Sequence, residues 1–266
     1  MIIIGEKINA SIPSIKSIIQ GRDDKNLVAL AEVQAASGVN YIDVNIATGE
    51  GTRDDEILSM RWAVETIQRK VDTPLSIDSA DPAVLEEGLM ARDGRPCLIN
   101  STKAEDSSLR EIVPMTIEYD APLVALALDE KGIPEDVKGR LAACEKIADV
   151  SLKLGLPMEK IYFDPLVLPI VTDIRQGLIT LNTLSEIKKK IPGSRTVIGL
   201  SNVSYGLPSR SRLNAAFLHM AIYEDLDAVI LDPLDTDLIL AVKAAEALVG
   251  KDRHCRRYAR ALRKES

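Results

Sequence analysis

The stretch Leu75-Ser76-Ile77-Asp78-Ser79-Ala80-Asp81-Pro82 decides the fold class. Leu75 to Asp78 is a short aliphatic run of the kind that makes a buried strand. Asp81 is then placed to cap a helix with its side chain, and Pro82 suits the first helical position, where a missing N–H goes unused. Strand, tight turn and capped helix thus follow one another without a linker. Because Asp81 supplies the cap, Asp78 at the strand end has no such structural duty.

Working outward, the same unit repeats along the chain. Strands are expected at Ile2–Ile4, Tyr41–Asn45, Leu75–Asp78, Cys97–Asn100, Leu123–Asp129, Ile161–Asp164, Thr196–Leu200 and Ala228–Asp232. Helical stretches between them open at Asp23-Asp24 and close at Gly38, then run over 135–154 to Gly155, 177–190 to Pro192-Gly193, 210–225, and 235–249 to Gly250. Eight strand-helix alternations predict an α/β protein with a parallel sheet closed as a (β/α)8 barrel, since closure removes both sheet edges. An open doubly wound sheet is the alternative. The 266 residues match the roughly 250 that such a barrel uses as one domain. With 46% hydrophobic and 27% charged residues, disordered and fibrous architectures are excluded.

The net charge of −7 is unevenly spread. Residues 251–266 carry seven Lys/Arg against two carboxylates, a balance of +5, which leaves −12 for residues 1–250. The expected organisation is therefore a barrel over residues 1–250 and a basic C-terminal tail over 251–266, solvated or partly helical. An acidic body argues against nucleic-acid binding. No apolar run approaches the length of a membrane span and the start lacks the pattern of a signal peptide, so a cytoplasmic protein is expected, away from membranes. Cys97, Cys144 and Cys255 are odd in number and widely spaced, and read as buried reduced thiols. His219 and His254 are the only histidines, which leaves little material for a His-based metal site or a Ser-His or Cys-His nucleophile.

In an α/β barrel the active site lies at the C-terminal ends of the strands. Asp43 and Asn45, Asp78, Asn100, Asp129, Asp164, Ser201-Asn202 and Asp232 stand at or just past seven successive strand ends, and Glu6, Lys7 and Asn9 follow the first. A rim of carboxylates and carboxamides suits a divalent cation held by oxygen, or a neutral heterocycle rich in donors and acceptors. Nucleotide and nucleophile-elbow motifs are missing from the sequence. Asp129 and Asp232 also read as ordinary loop residues and are left out of the expected site, and Met115 and Phe163 read as core.

Six motifs at strand ends now matter together: Gly5-Glu6-Lys7-Ile8-Asn9, Asp43-Val44-Asn45, Ser76-Ile77-Asp78-Ser79, Leu98-Ile99-Asn100-Ser101-Thr102, Tyr162-Phe163-Asp164-Pro165-Leu166, and Gly199-Leu200-Ser201-Asn202 continuing to Pro208. In this order they resemble the pterin-binding barrel family, and within it the methyltetrahydrofolate:corrinoid protein methyltransferases, relatives of the folate module of cobalamin-dependent methionine synthase. The resemblance implies a homodimeric (β/α)8 enzyme that binds 5-methyltetrahydrofolate at the barrel mouth and exchanges its methyl group with cob(I)alamin held by a separate corrinoid protein. It places Asp78, Asn100 and Asp164 on pterin-contacting positions, Gly199, Ser201 and Arg210 near the ring or its substituents, Asn202 opposite pterin N5 as the catalytic donor, and Asp43 in the supporting polar network. It implies no metal bound by the chain itself.

These residue types suit that chemistry. A carboxylate accepts the parallel donors of the pterin amino group and ring N–H as a bidentate pair. The methyl leaves a tertiary amine, so N5 needs a donor that strengthens as the C–N bond breaks. Asn202 supplies such a donor but does not titrate, so the proton itself comes from elsewhere, solvent or a relay. Small loops at Ala47-Thr48-Gly49 and Ser204-Tyr205-Gly206 suit access by a large cofactor. The alternatives are a dihydropteroate synthase-like enzyme, a non-catalytic folate-binding protein, and a metal-dependent barrel enzyme. The first is disfavoured because no basic, His-containing group closes the last strand at Ile230-Leu231-Asp232-Pro233.

Overall fold

Helix starts set the repeat. The carboxylates of Asp23, Asp136 and Asp235 accept the backbone N–H of Asn26, Gly139 and Leu238, Asp81 accepts that of Ala83, and Thr52 with Asp55 forms a reciprocal capping box. Each such cap fixes where the chain enters a helix from the preceding loop.

The computed structural model describes residues 1–263. Its eight strands are β1 (Ile2–Asn9), β2 (Tyr41–Asn45), β3 (Leu75–Asp78), β4 (Cys97–Lys103), β5 (Leu123–Leu126), β6 (Ile161–Asp164), β7 (Arg195–Gly199) and β8 (Ala228–Leu231). They pair in parallel, each with its neighbours in sequence, and β1 closes on β8. Between them run α1 (Pro13–Gln20), α2 (Asp24–Ala36), α3 (Arg53–Gln68), α4 (Pro82–Ala91), α5 (Asp106–Glu118), α6 (Val137–Lys153), α7 (Gln176–Lys190), α8 (Arg210–Tyr223) and α9 (Thr236–Leu248), with α10 (Arg256–Arg263) after them. This is the (β/α)8 barrel expected from the repeat. Among the described residues no helix is long and apolar enough to cross a membrane.

Two cores separate inside from outside. The larger lies between the barrel wall and the helices and holds residues such as Ile42, Val44, Ile77 and Ile99. The smaller fills the barrel interior with Ile4, Leu98, Val124, Tyr162, Val197 and Ala228. Helix and sheet approach closely at α4, where a Cβ added to Gly88 would stand 2.6 Å from Ile77 Cγ2. That contact seats β3 against its helix.

Strand ends differ from the sequence expectation in instructive ways. β1 runs on past Ile4 to Asn9, through a bulge: Gly5 pairs with Ile42 and Ile8 with Val44, so β1 spends one more residue than β2. A second bulge falls in β4, where Asn100 pairs with Val124 and Thr102 with Ala125. β5 stops at Leu126, short of Asp129, which instead turns the chain back through paired backbone bonds with Gly132. β7 and β8 stop one residue before Leu200 and Asp232, and residues 200–204 form a short 3-10 turn.

Past the barrel the chain turns at Asp252, whose carboxylate accepts the N–H groups of Arg257 and Tyr258 at 3.1 and 3.0 Å, and Arg257 pairs with Glu246 of α9 at 3.2 Å. The basic segment is thus helical through Arg263, and its last three residues lie outside the described residues. Cys97 and Cys144 are buried, and burial pushes the Cys97 thiol up to about 11. Cys255 corrects the expectation: it is exposed, because it sits in the turn outside the barrel, where no second layer covers it.

Candidate active site

Strand alternation carries the chain from the apolar barrel interior to a polar mouth. Two residues beyond Leu98 stands Asn100, beyond Tyr162 stands Asp164, beyond Val197 stands Gly199, beyond Tyr41 come Asp43 and Asn45, and beyond Ile4 comes Glu6. The period of two puts all of them on the inner face. The mouth is therefore a continuation of the interior core with its side chains changed from hydrocarbon to acid and amide.

On the side formed by β2, β3 and β4, the buried Asp43 carboxyl accepts from Ser76 Oγ at 2.6 Å and from Asn100 Nδ2 at 3.2 Å. Asp78, half-buried, accepts from Asn45 Nδ2 at 2.8 Å. Burial raises the pKa of both carboxyls, and the charge of Asp78 raises Asp43 further, while bonds from Ser76 and Asn100 pull it back. The two titrate as a unit, with the proton on the deeper Asp43 and the charge on Asp78, which the hydrogen bonds from Asn45 and Asp43 favour. One ionised carboxylate is thereby left facing the mouth.

Asp164 stands apart on β6. Burial pushes its carboxyl up to about 7, against the opposing pull of the Leu166 N–H, 2.8 Å away, and the Arg140 charge. Arg140 of α6 is fully buried and donates to the carbonyls of Pro165 and Leu166 at 2.9 and 2.7 Å and to Gln176 Oε1 at 2.8 Å. It thus fixes the turn that follows Asp164, including Leu166 in its left-handed conformation at φ 64°.

The side formed by β1, β7 and β8 is ionic. Ser201 Oγ donates to Glu6 Oε1 at 2.5 Å, and Lys7 Nζ pairs with Asp232 Oδ2 at 2.8 Å. Arg210, at the start of α8, donates to the Ser201 carbonyl at 2.6 Å and to Ser204 Oγ at 3.1 Å, so it braces the turn that carries Ser201 and Asn202. The bulge that presents Glu6 and Lys7 is held from behind: the buried Gln34 of α2 accepts the Lys7 N–H at 3.1 Å, and Gly5 leaves room for it, since a Cβ there would collide with the Gln34 amide oxygen. Asn202 is exposed at the mouth. A Cβ on Gly199 would come within 3.2 Å of its Nδ2, so glycine lets the carboxamide lie over the strand end.

Of the residues expected from sequence, Asp43, Asp78 and Asn100 meet in one cluster, Asp164 is separate, and Gly199, Ser201, Asn202 and Arg210 form the turn after β7. Arg210 touches that turn rather than pointing out from a surface helix. Glu6, Asn45 and Asp232 stand in the polar rim read from the sequence but outside the expected site, and Ser76 and Arg140 are not singled out there as site residues. For Glu6 the signal was available, since it follows Ile4 by the same two-residue step as Asn100 follows Leu98. Arg140 carries no such signal, because nothing in a helical sequence marks a guanidinium that reaches a loop 25 residues away. Among the described residues no group of three or more His, Cys, Asp or Glu is arranged to hold a metal.

A closed parallel barrel whose mouth is lined by acids and carboxamides defines an α/β-barrel protein with a polar mouth at the strand ends. The pattern of the pterin binding enzymes matches residues 5–232, and the chain belongs to that family. Within it, the chain is 33% identical over 265 residues to the methylcorrinoid:tetrahydrofolate methyltransferase of Eubacterium limosum, covering 99% of this chain and 96% of that one, and so falls with the methyltetrahydrofolate:corrinoid methyltransferases. It is also 30% identical over 245 residues to methionine synthase of Mycobacterium tuberculosis, of whose length the match spans 20%. The fold is shared with 7,8-dihydropteroate synthase from Vibrio fischeri, at a TM-score of 0.68 and 17% identity over 95% of this chain and 94% of that one, and with Yersinia pestis DHPS at the same score and identity.

Proposed function

We propose that this protein moves a methyl group between N5 of 5-methyltetrahydrofolate and the cobalt of a corrinoid carried by a separate protein. The observation that carries the reading is the Asp43–Asp78 cluster, which holds one ionised, preorganised acceptor at the mouth of a pterin-family barrel. Its full-length likeness to a methylcorrinoid:tetrahydrofolate methyltransferase supports the same reading. Dihydropteroate synthases share the fold at an identity that speaks for the fold alone.

In this reading Asp78 accepts the paired donors of the pterin amino group and ring N–H, and Asp43, keeping its proton, holds Asp78 and Asn100 in place. Asn100 and Asp164 take the remaining ring donors and acceptors. Asn202, exposed beside the ring edge, donates to N5, and this bond strengthens as the methyl departs. The corrinoid supplies the nucleophile, so the chain needs none of its own. Its own work is to orient the ring, polarise N5 and leave the mouth open to a partner. The homodimer, the cytoplasmic location and the division into barrel and basic tail belong to the same reading and rest on the sequence alone.

The test is anaerobic methyl transfer between 5-methyltetrahydrofolate and cob(I)alamin, followed by absorbance. Wild type is expected to form methylcobalamin, and Asn202→Ala to keep pterin affinity while losing about 10²-fold in turnover, roughly 2.7 kcal/mol. Wild type that binds the pterin yet moves no methyl, even with corrinoid partner proteins supplied, sinks the assignment.

A further inference from the structure

The departing N5 needs a proton that a carboxamide cannot give, and the mouth holds one acid placed beside the Asn202 turn. Glu6 lies on the inner face of β1, lifted into the mouth by the bulge, and its Oε1 receives the Ser201 hydroxyl at 2.5 Å. Ser201 immediately precedes Asn202, so this hydrogen bond couples the acid to the segment that faces N5. The other acids of the mouth are engaged otherwise: Asp43 and Asp78 bond to each other and to amides, Asp164 accepts the Leu166 N–H, and Asp232 is paired with Lys7.

We propose that Glu6, acting through the Ser201 hydroxyl, is the proton reservoir for the pterin nitrogen as the methyl group leaves or arrives. The inference rests on the methyltransferase reading and adds to it the residue that supplies the proton. When the C–N5 bond breaks, its electron pair stays on N5, and the methyl acceptor on the partner protein provides the pair for the new bond. For the transfer Glu6 carries the proton and donates it to Ser201 Oγ, the reverse sense of the bond that Ser201 makes to the carboxyl oxygen, and the hydroxyl turns its own proton to N5. Ser201 passes that proton to N5 and takes the one from Glu6, leaving Glu6 ionised until solvent restores its proton. In the reverse direction the N5 proton returns along the same two atoms. The Arg210 bond to the Ser201 carbonyl keeps the relay in register.

The surroundings raise the Glu6 carboxyl above the ordinary carboxylate range. Burial raises its pKa first, the Ser201 bond lowers it, the Asp232 charge across the mouth raises it, and Arg210 and its neighbour Lys7 lower it. A general acid works best when its pKa lies near the operating pH.

The experiment is the pH profile of methyl transfer from 5-methyltetrahydrofolate to cob(I)alamin for wild type, Glu6→Gln, Glu6→Asp and Ser201→Ala, with pterin affinity measured in parallel. Wild-type turnover is expected to fall as pH rises through the Glu6 titration. Glu6→Gln should lose about 10²-fold at neutral pH, lose that limb of the profile and keep pterin affinity within about threefold, a small change on the affinity scale. Glu6→Asp should recover part of the rate with the limb displaced. Ser201→Ala should lose a similar factor, and the double variant little more, because the two act as one unit. Should Glu6→Gln fail to fold by thermal melting, Ser201→Ala alone decides, since it leaves the acid in place. Wild-type activity with an unchanged limb in both variants overturns the proton relay and leaves the methyltransferase reading standing. An inactive wild type that still binds pterin overturns that reading instead.

Discussion

On the β2–β4 side of the mouth, Asp43, Asp78, Asn45, Ser76 and Asn100 bond to one another and, among the described residues, to no basic side chain, whereas on the β1–β7–β8 side Glu6, Lys7, Asp232, Ser201 and Arg210 alternate in charge. The first cluster is mostly buried and limits itself to one negative charge by keeping a proton on Asp43. The second is half-exposed and neutralises itself with cations. The first arrangement fixes acceptors against a heterocycle that stays put, because a buried carboxylate held by amides has one geometry. The second tolerates a change of charge during a reaction, because its neighbours already compensate both signs.

This contrast is broken most sharply by Asp78→Asn. Losing the one ionised acceptor of the closed cluster should weaken tetrahydrofolate binding about 10²-fold, roughly 2–3 kcal/mol, as calorimetry would read it. A change under threefold would show that the cluster does not hold the ring.

Asp164 gives an effect of similar size on stability, visible in pH. Its folded carboxyl holds a proton up to about 7, while an unfolded Asp releases its own near 4. Between those values the unfolded state binds fewer protons, so stability falls as pH rises and the loss is complete above about 7. Asp164→Asn cannot ionise, so its stability should lack that fall, and its difference from wild type should shift in its favour by on the order of 2–4 kcal/mol between pH 4 and pH 8. Parallel curves for the two proteins would contradict the burial argument.

The smallest effect belongs to the ionic side. The Lys7–Asp232 pair is about a third exposed at both ends, at 30% and 32%, so Lys7→Met should cost less than about 1 kcal/mol in chemical denaturation, and less still in high salt. A larger, salt-independent cost would mean that this side is as rigid as the other.

Much of this architecture is legible along the chain. Eight aliphatic runs and their caps lead directly to the closed barrel, because period and capping are local properties. Asp78, Asn100 and Asp164 stand out for the same reason, as polar residues ending apolar strands. What local reading misses is pairing across the barrel: Glu6 and Ser201 are 195 residues apart, and only closure of β1 on β8 brings them together. The true length of β1 is also hidden: the sequence places its end at Ile4, while the strand runs on to Asn9 through a bulge whose Lys7 N–H is accepted by Gln34 from behind.

The β1 bulge also separates scaffold from chemistry by chain length alone. Deleting one residue between Gly5 and Ile8 would match the residue count of β1 to that of β2 and remove the bulge. Yet the mouth would then present either the acid or the lysine at that level, not both. A barrel that folds well and a barrel that can trade protons would thus differ by a single codon, so insertions and deletions at this point are a finer probe of the site than substitutions of its charges.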